Sequence, residues 1–352
     1  MKKRKSKNGD DRRPWEDLPI ELLDIVSSHM TIPDYLSFGR ACHSWRSYFL
    51  DSNKRFTASR PPLVCYISAW DVNSCFFHDI TDGNSYEATL PDFTCKFCIG
   101  VSCGYIIMGE FFSDLWFTNP VTGYQHLFSS MPQSDYCMYR SDRFILASTG
   151  PNQDILIVLL CRKHYSVWYR RSTDMQWSSY SFVDKPWVVD MVVFNSRVVV
   201  ITNMYQIGIL SLRSSDVRFL EFRGTPRGCF NPRFVTSNEQ LYVVDFLPSV
   251  WLEVYKVDFS IMEWVKVDNI GDQALFLGDM MGTGMSSTTR WGGRSNCVYY
   301  LSLATDQCYV YSWTGAYVDS IQITGEDRVA TARLKCWYFL DQAHNMYYVS
   351  DE

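Results

Sequence analysis

The chain has no long hydrophobic run. A membrane-spanning helix needs roughly 18–20 consecutive apolar residues. The longest apolar stretches here, "DILIVLLC" (Asp154–Cys161) and "VVDMVVF" (Val188–Phe194), are strand-sized, so no span is expected. The basic start is not followed by an apolar segment, so no secretory signal is expected either. Twelve cysteines without such a signal point to free thiols in a reducing compartment, nucleus or cytoplasm.

Catalytic signatures are also missing. G-x-S-x-G, H-E-x-x-H and the kinase set do not occur. The longest glycine-rich stretch, "GDMMGTGMSSTTRWGGR" (Gly278–Arg294), lacks the Gly-Lys-Ser/Thr ending of a phosphate loop and reads as a long inter-strand loop. "CKFCIGVSC" holds Cys95, Cys98 and Cys103, half of a zinc-site spacing, but no second Cys or His pair completes it. The six histidines are scattered, and these thiols read as structural. Trp251, Trp291 and Trp313 fit a binding surface or, more commonly, a core. No enzyme activity, cofactor or metal is expected.

Positive charge is scarce except at the start. Residues 1–13 hold seven basic and two acidic residues, so the overall −5 conceals −10 over the rest. An acidic body argues against nucleic acid as the main partner, because phosphate binding needs a basic face. Lys2, Lys3, Arg4 and Lys5 form "KKRK", which fits a nuclear import signal or a solvated tail without an address.

What is abundant is aromatic: 12 Trp, 22 Tyr and 22 Phe, a composition that favours strands. Before the strands, residues 14–50 read as two or three short helices. "IELLDIVSSHM" spaces Leu22, Leu23, Ile25, Val26 and Met30 as one amphipathic helix. Thr31 and Pro33 break it, and Asp34 is placed to cap a second helix carrying Tyr35, Leu36 and Phe38. Ala41, Trp45, Tyr48 and Phe49 continue a helical stripe. Residues 51–62, ending in "SRPP", read as a linker.

After Leu63 the period changes from 3.6 to 2. A strand–turn–strand unit recurs, anchored at Phe77, Trp116, Trp168, Ile209, Tyr255 and Tyr311. A repeat of roughly 40–50 residues with about four strands is the mark of a β-propeller blade. The expected fold class is therefore α plus all-β: a short helical unit, then a propeller of six or seven four-stranded blades over 63–352. Seven is favoured, and a sandwich or barrel is the alternative. The final stretch, "RLKCWYFLDQAHNMYYVS", reads as the inner pair of a last blade that a strand from the start of the domain completes.

The helical stretch resembles the F-box motif. The match lies in Trp15, Leu18, Pro19, Glu21, Leu22, Leu23 and Ile25, then Pro33, Asp34, Leu36 and Phe38, then Cys42, Trp45 and Arg46. Departures are "SSHMTIPDY", which lacks the usual basic-Leu pair, and Ala41 in place of the common Val. The remainder resembles plant F-box proteins with a kelch-like, KIB-type propeller, through "FTNPVTGYQHLFSSMP" (Phe117–Pro132) and "LEVYKVDFSIMEWVKVDNIGDQALFLGDMMG" (Leu252–Gly282). Only Gly292–Gly293 qualifies as the Gly-Gly of true kelch repeats.

The resemblance implies a substrate-recognition subunit of a Skp–cullin–F-box ubiquitin ligase, itself non-catalytic. It implies that Trp15, Leu18, Pro19, Leu22, Ile25, Asp34, Leu36, Trp45 and Arg46 bind the Skp-type adaptor, and through it cullin and the ubiquitin carrier. Substrate would meet propeller-face loops, with Gly282 to Arg294 the leading segment. The physics agrees with docking: about 35 residues cannot bury so many large apolar side chains alone. A non-ligase scaffold and a small-ligand-binding propeller are the other readings.

Overall fold

The computed structural model describes residues 15–68, 74–89, 96–110, 114–128, 143–149, 154–162, 164–183, 186–226, 231–245, 252–278, 283–302, 304–323, 332–342 and 346–350. The basic tail, Cys95, Trp251 and Gly282 lie outside these. The chain divides into two units after Ser59.

The first unit is a 3-10 turn (Trp15–Asp17) and three helices: α1 (Ile20–Ser28), α2 (Ile32–Phe38) and α3 (His43–Ala58). Thr31, not Asp34, caps α2: its Oγ1 accepts from the Asp34 amide at 3.3 Å and donates to the Asp34 carboxylate at 2.6 Å. Asp34, three residues on, is thus held by the capping residue rather than being the cap itself. Ala41 lies in the turn before α3, which Cys42 caps through its sulfur. The expected linker is largely helix. α3 runs on to Ala58 because Ser52, Asn53, Phe56 and Thr57 are buried, so the apolar stripe does not stop at Leu50.

The second unit is a six-bladed propeller. The first blade takes β1 (Leu63–Ser68), β2 (Ser74–His78) and β3 (Ser85–Thr89). The second is β4 (Lys96–Ser102), β5 (Tyr105–Glu110), β6 (Leu115–Thr118) and β7 (Gln125–Phe128). The third holds β8 (Arg143–Thr149), β9 (Asp154–Cys161), β10 (Ser166–Arg171) and β11 (Ser178–Ser181). The fourth is β12 (Val188–Phe194), β13 (Arg197–Thr202), β14 (Ile207–Ser211) and β15 (Asp216–Leu220). The fifth is β16 (Arg233–Ser237), β17 (Gln240–Asp245), β18 (Glu253–Asp258) and β19 (Glu263–Lys266). The sixth holds β20 (Gln273–Gly278), β21 (Gly284–Ser287), β22 (Cys297–Leu301), β23 (Gln307–Ser312) and β24 (Tyr317–Gln322). Two strands remain, β25 (Ala332–Tyr338) and β26 (Tyr347–Val349).

Seven blades was one too many. The six repeat anchors fall on β2, β6, β10, β14, β18 and β23, the penultimate strand of each blade. The final stretch builds no pair of its own. β25 pairs antiparallel with β1 and becomes the innermost strand of the first blade, closing the ring, while β26 pairs parallel with β8 in the third. A strand from the start of the domain does complete the closing blade, but three such strands do so. From the end of β25 onward the chain reaches several blades. Phe339 packs on Gly284, Tyr347 joins the cluster of the second and third blades, and the Ser350 amide donates to Ser196 O of the fourth at 2.8 Å.

The segment expected as a loop, Gly278–Arg294, contains β21, pinned to β20, with Met285 and Thr288 buried. In the sixth blade β20 and β22 run parallel, unlike their counterparts elsewhere, because β21 returns the chain before β22 begins.

Apolar side chains fill the wedges between blades, as one blade cannot cover both of its faces. Leu156, Val158 and Leu160 of the third blade meet Met191, Val193 and Val200 of the fourth. Two-residue turns join β4 to β5, β12 to β13 and β16 to β17. Their central residues all have positive φ (Cys103 and Gly104, Asn195 and Ser196, Asn238 and Glu239), the hairpin geometry that matches strand twist.

Candidate partner-docking site

The helical unit has a small core of its own. Leu23, Phe38 and Tyr48 are buried together, with Leu18, Met30 and Trp45 packed at the edge. A second aromatic stack lies alongside: Tyr35 faces Phe56 with ring centroids 3.7 Å apart, and its hydroxyl bonds Ser52 Oγ at 2.7 Å. Trp45 packs at the edge of this core. Its ring stacks on Phe38 at 4.6 Å, and Nε1 donates to Trp15 O at 2.9 Å, tying the entry turn to α3.

Polar bonds complete the unit. Tyr48 Oη donates to Asp24 Oδ1 at 2.5 Å, Ser27 Oγ meets Tyr48 Oη at 2.8 Å, and Arg55 pairs with Asp24. The Tyr48 hydroxyl, and after it Arg55, hold the Asp24 carboxyl below the usual range. Arg55 is raised in turn by Asp24.

With that core satisfied, a set of large apolar groups is left in water. Leu23 is 2% exposed, but Leu22 is 45%, Val26 41%, Ile25 57%, Ile20 66% and Trp15 55% exposed. At 100° per residue, Ile25, Leu22 and Val26 span an arc of about 100° on the side of α1 away from Leu23 and Ser27. Alpha helix α1 is thus apolar on two sides, one spent internally and one open.

Of the nine expected docking residues, Trp15, Pro19, Leu22 and Ile25 are exposed on or beside α1. Leu18 and Leu36 are half-buried, Leu18 at the edge of the core. Arg46 is exposed on α3, and Asp34 is occupied with Thr31. Ile20 and Val26 were not among the expected nine. The signal for Val26 was the run of four apolar residues in five positions, Leu22 to Val26, more than one helix stripe can hide.

On the propeller, Trp291 packs against Phe276 and Tyr299, and Trp313 Nε1 donates to Val267 O at 3.3 Å. Both are packing residues. Of the cysteine group, Cys103 donates its thiol to Leu146 O at 3.1 Å, and burial pushes it up to about 11. Burial raises Cys98 further. Among the described residues no three His, Cys, Asp or Glu side chains are grouped to hold a metal.

No curated protein sequence matches the chain. Solved structures similar to it are remote. Virginiamycin B lyase from Staphylococcus aureus is 13% identical with a TM-score of 0.40, covering 76% of this chain and 86% of that one. A protein of unknown function from Bacteroides caccae is 11% identical with a TM-score of 0.42, covering 79% and 99%. TolB from Acinetobacter baumannii is 10% identical with a TM-score of 0.41, covering 84% and 73%. Likenesses this remote say nothing about what the chain binds. Two family matches are direct: an F-box domain over residues 15–57, and a KIB1-4 beta-propeller over residues 77–321. The second covers most of the chain, which therefore belongs to the KIB1-4 beta-propeller family, with an F-box domain ahead of the propeller.

Proposed function

We propose that the chain is the substrate-recognition subunit of a Skp–cullin–F-box ubiquitin ligase, with α1 docking on the Skp-type adaptor and the propeller holding a protein substrate. The observation that carries this is the open apolar arc of Leu22, Ile25 and Val26, flanked by Trp15 and Ile20, on a unit whose core is already complete. Fully burying such a side chain is worth roughly 1.5–3 kcal/mol. With about half of each exposed, five of them offer on the order of 4–7 kcal/mol before the cost of association. The chain performs no bond chemistry in this reading. It raises the effective concentration of a substrate lysine near the charged ubiquitin carrier.

The test is co-purification of the full chain with a Skp-type adaptor and cullin. Leu22→Asp with Ile25→Asp places charges on the open arc without touching the core. The pair should abolish adaptor binding and leave the thermal unfolding profile unchanged. Retained adaptor binding in that variant sinks the proposal, and adaptor binding without cullin points to a scaffold instead.

A further inference from the structure

Two buried cysteines meet where the ring closes. In the antiparallel pairing of β1 with β25, Cys65 stands directly opposite Cys336. Directly opposed residues share a face of the sheet, with Cα atoms about 4.5–5.5 Å apart. A disulfide needs about 4.4–6.8 Å, so the pair is already at bonding geometry. Both residues are 0% exposed, and both are free thiols. The Cys336 thiol is hydrogen-bonded to the Cys65 sulfur. A third thiol, Cys75 on β2, also lies beside Cys65. It is placed diagonally: Phe77 is the residue opposite Cys65, and Cys75 is opposite Ile67. Diagonal neighbours stand about 7–8 Å apart, beyond the reach of an unstrained disulfide.

The residues after Cys336 fix where its side chain returns each time β25 docks. Trp337 Nε1 donates to Leu277 O of the sixth blade at 2.9 Å, and Tyr338 Oη donates to Gly104 O of the second at 2.8 Å. The closure itself is non-covalent, between a strand from the start of the propeller and one from near its end. While it holds, the thiols are protected. Cys65 beside it, and then burial, hold the Cys336 thiol well above its ordinary range, so the closed ring offers no thiolate. Chemistry at this pair therefore requires β25 to lift from β1, a local opening short of global unfolding.

We propose that Cys65 and Cys336 are an oxidative modification site, joined by a peroxide into a disulfide that clasps the ring shut. In an opened ring the first thiolate attacks one oxygen of hydrogen peroxide. The O–O bond breaks, a sulfenic acid forms, and the leaving oxygen takes up a proton as water. When β25 docks again, the second thiol attacks the sulfenic sulfur. The S–S bond forms, and the sulfenic oxygen leaves as a second water. Two thiols thus give two electrons to one peroxide. A reducing compartment returns the pair to thiols, so the clasp marks exposure to oxidant. It joins nearly the two ends of the propeller, where a cross-link restricts the unfolded chain most.

The test treats the full chain with hydrogen peroxide, blocks remaining thiols, digests the protein without reductant and maps linked peptides by mass spectrometry. Cys65 should be linked to Cys336. The rate of linkage should rise with urea below the unfolding transition, as expected for a step that waits on opening. The linked chain should unfold at a urea midpoint higher by about 1 M, and a dithiol reductant should reverse the shift. Cys336→Ala should lose both the link and the shift, while Cys308→Ala in the sixth blade keeps both. The wild-type map decides the pairing even if Cys336→Ala folds poorly. The proposal falls if Cys65 and Cys336 stay thiols at a dose that fully oxidises the half-buried Cys42. It falls equally if Cys65 links to Cys75, if urea leaves the rate unchanged, or if the linked chain keeps the reduced chain's midpoint. No readout involves the adaptor, so failure here leaves the receptor reading standing.

Discussion

Ring closure rests on β25, and Trp337 is where that closure is most easily probed. Its side chain is 1% exposed, edge-on to Phe276 at 4.9 Å, and its Nε1 donates to Leu277 O at 2.9 Å, both in the sixth blade. The strand carrying it belongs to the first blade, so the residue ties the sixth blade to the first. Trp337→Ala should cost about 3–5 kcal/mol, the range for large aromatic truncations in a core. Trp337→Phe keeps most of the volume but leaves Leu277 O unpaired, a loss of about 1–3 kcal/mol. The control is Tyr317→Ala on β24, where 61% of the residue is exposed, expected within about 0.5 kcal/mol. The assay is urea unfolding of the full chain followed by circular dichroism, fitting the propeller transition separately from the helical unit. Trp337→Phe and Tyr317→Ala with the same midpoint would refute the idea that this contact closes the ring.

Other outcomes follow from the same contacts. Leu23→Ala should destabilise the helical unit by about 2–5 kcal/mol, while Leu22→Ala changes its stability by no more than about 0.5 kcal/mol, measured by thermal unfolding. Asp24 has a lowered folded value, so its stabilisation is present above the unfolded carboxylate range and is lost as pH falls through the folded value. Asp24→Asn should therefore flatten the acid limb of the helical unit's stability against pH. His78 is buried, with Nδ1 3.0 Å from Ser85 Oγ, and burial lowers it from 6.5. Its unfolded form binds the proton more readily, so propeller stability should fall as pH drops below 6.5, and His78→Gln should remove that slope. A methyl group on Gly284 would clash with the Phe339 ring, so Gly284→Ala should cost about 1–3 kcal/mol by displacing that ring, measured by urea unfolding.

Much of this was legible in the chain. The change of period after Leu63 separated helices from strands, because helical and pleated backbones present apolar residues at different spacings. Six aromatic or aliphatic anchors marked six penultimate strands. The seventh blade came from assigning β25 and β26 to each other. Strand pairing across hundreds of residues of chain leaves no local mark, so nothing near Trp337 or Tyr347 names β1 or β8 as its partner. The linker was set too long for a related reason: "SRPP" marks where the helix stops, but only the packing of Phe56 on Tyr35 shows that the helix runs on as far as Ala58.

The sequence by itself determined the two kinds of architecture, the family and the excess of apolar side chains near the start, since these depend on composition and local period. Tertiary structure alone decided which of two adjacent leucines is core and which is open. Leu22 and Leu23 have the same chemistry, and only the packing of α1 against Phe38 and Tyr48 tells them apart. It also decided that Gly278–Arg294 is partly strand, and that Tyr165 and Trp187, from two separate connections, lie with their rings 5.8 Å apart. Such convergence follows from ring geometry, which brings distant turns together at one end of neighbouring blades.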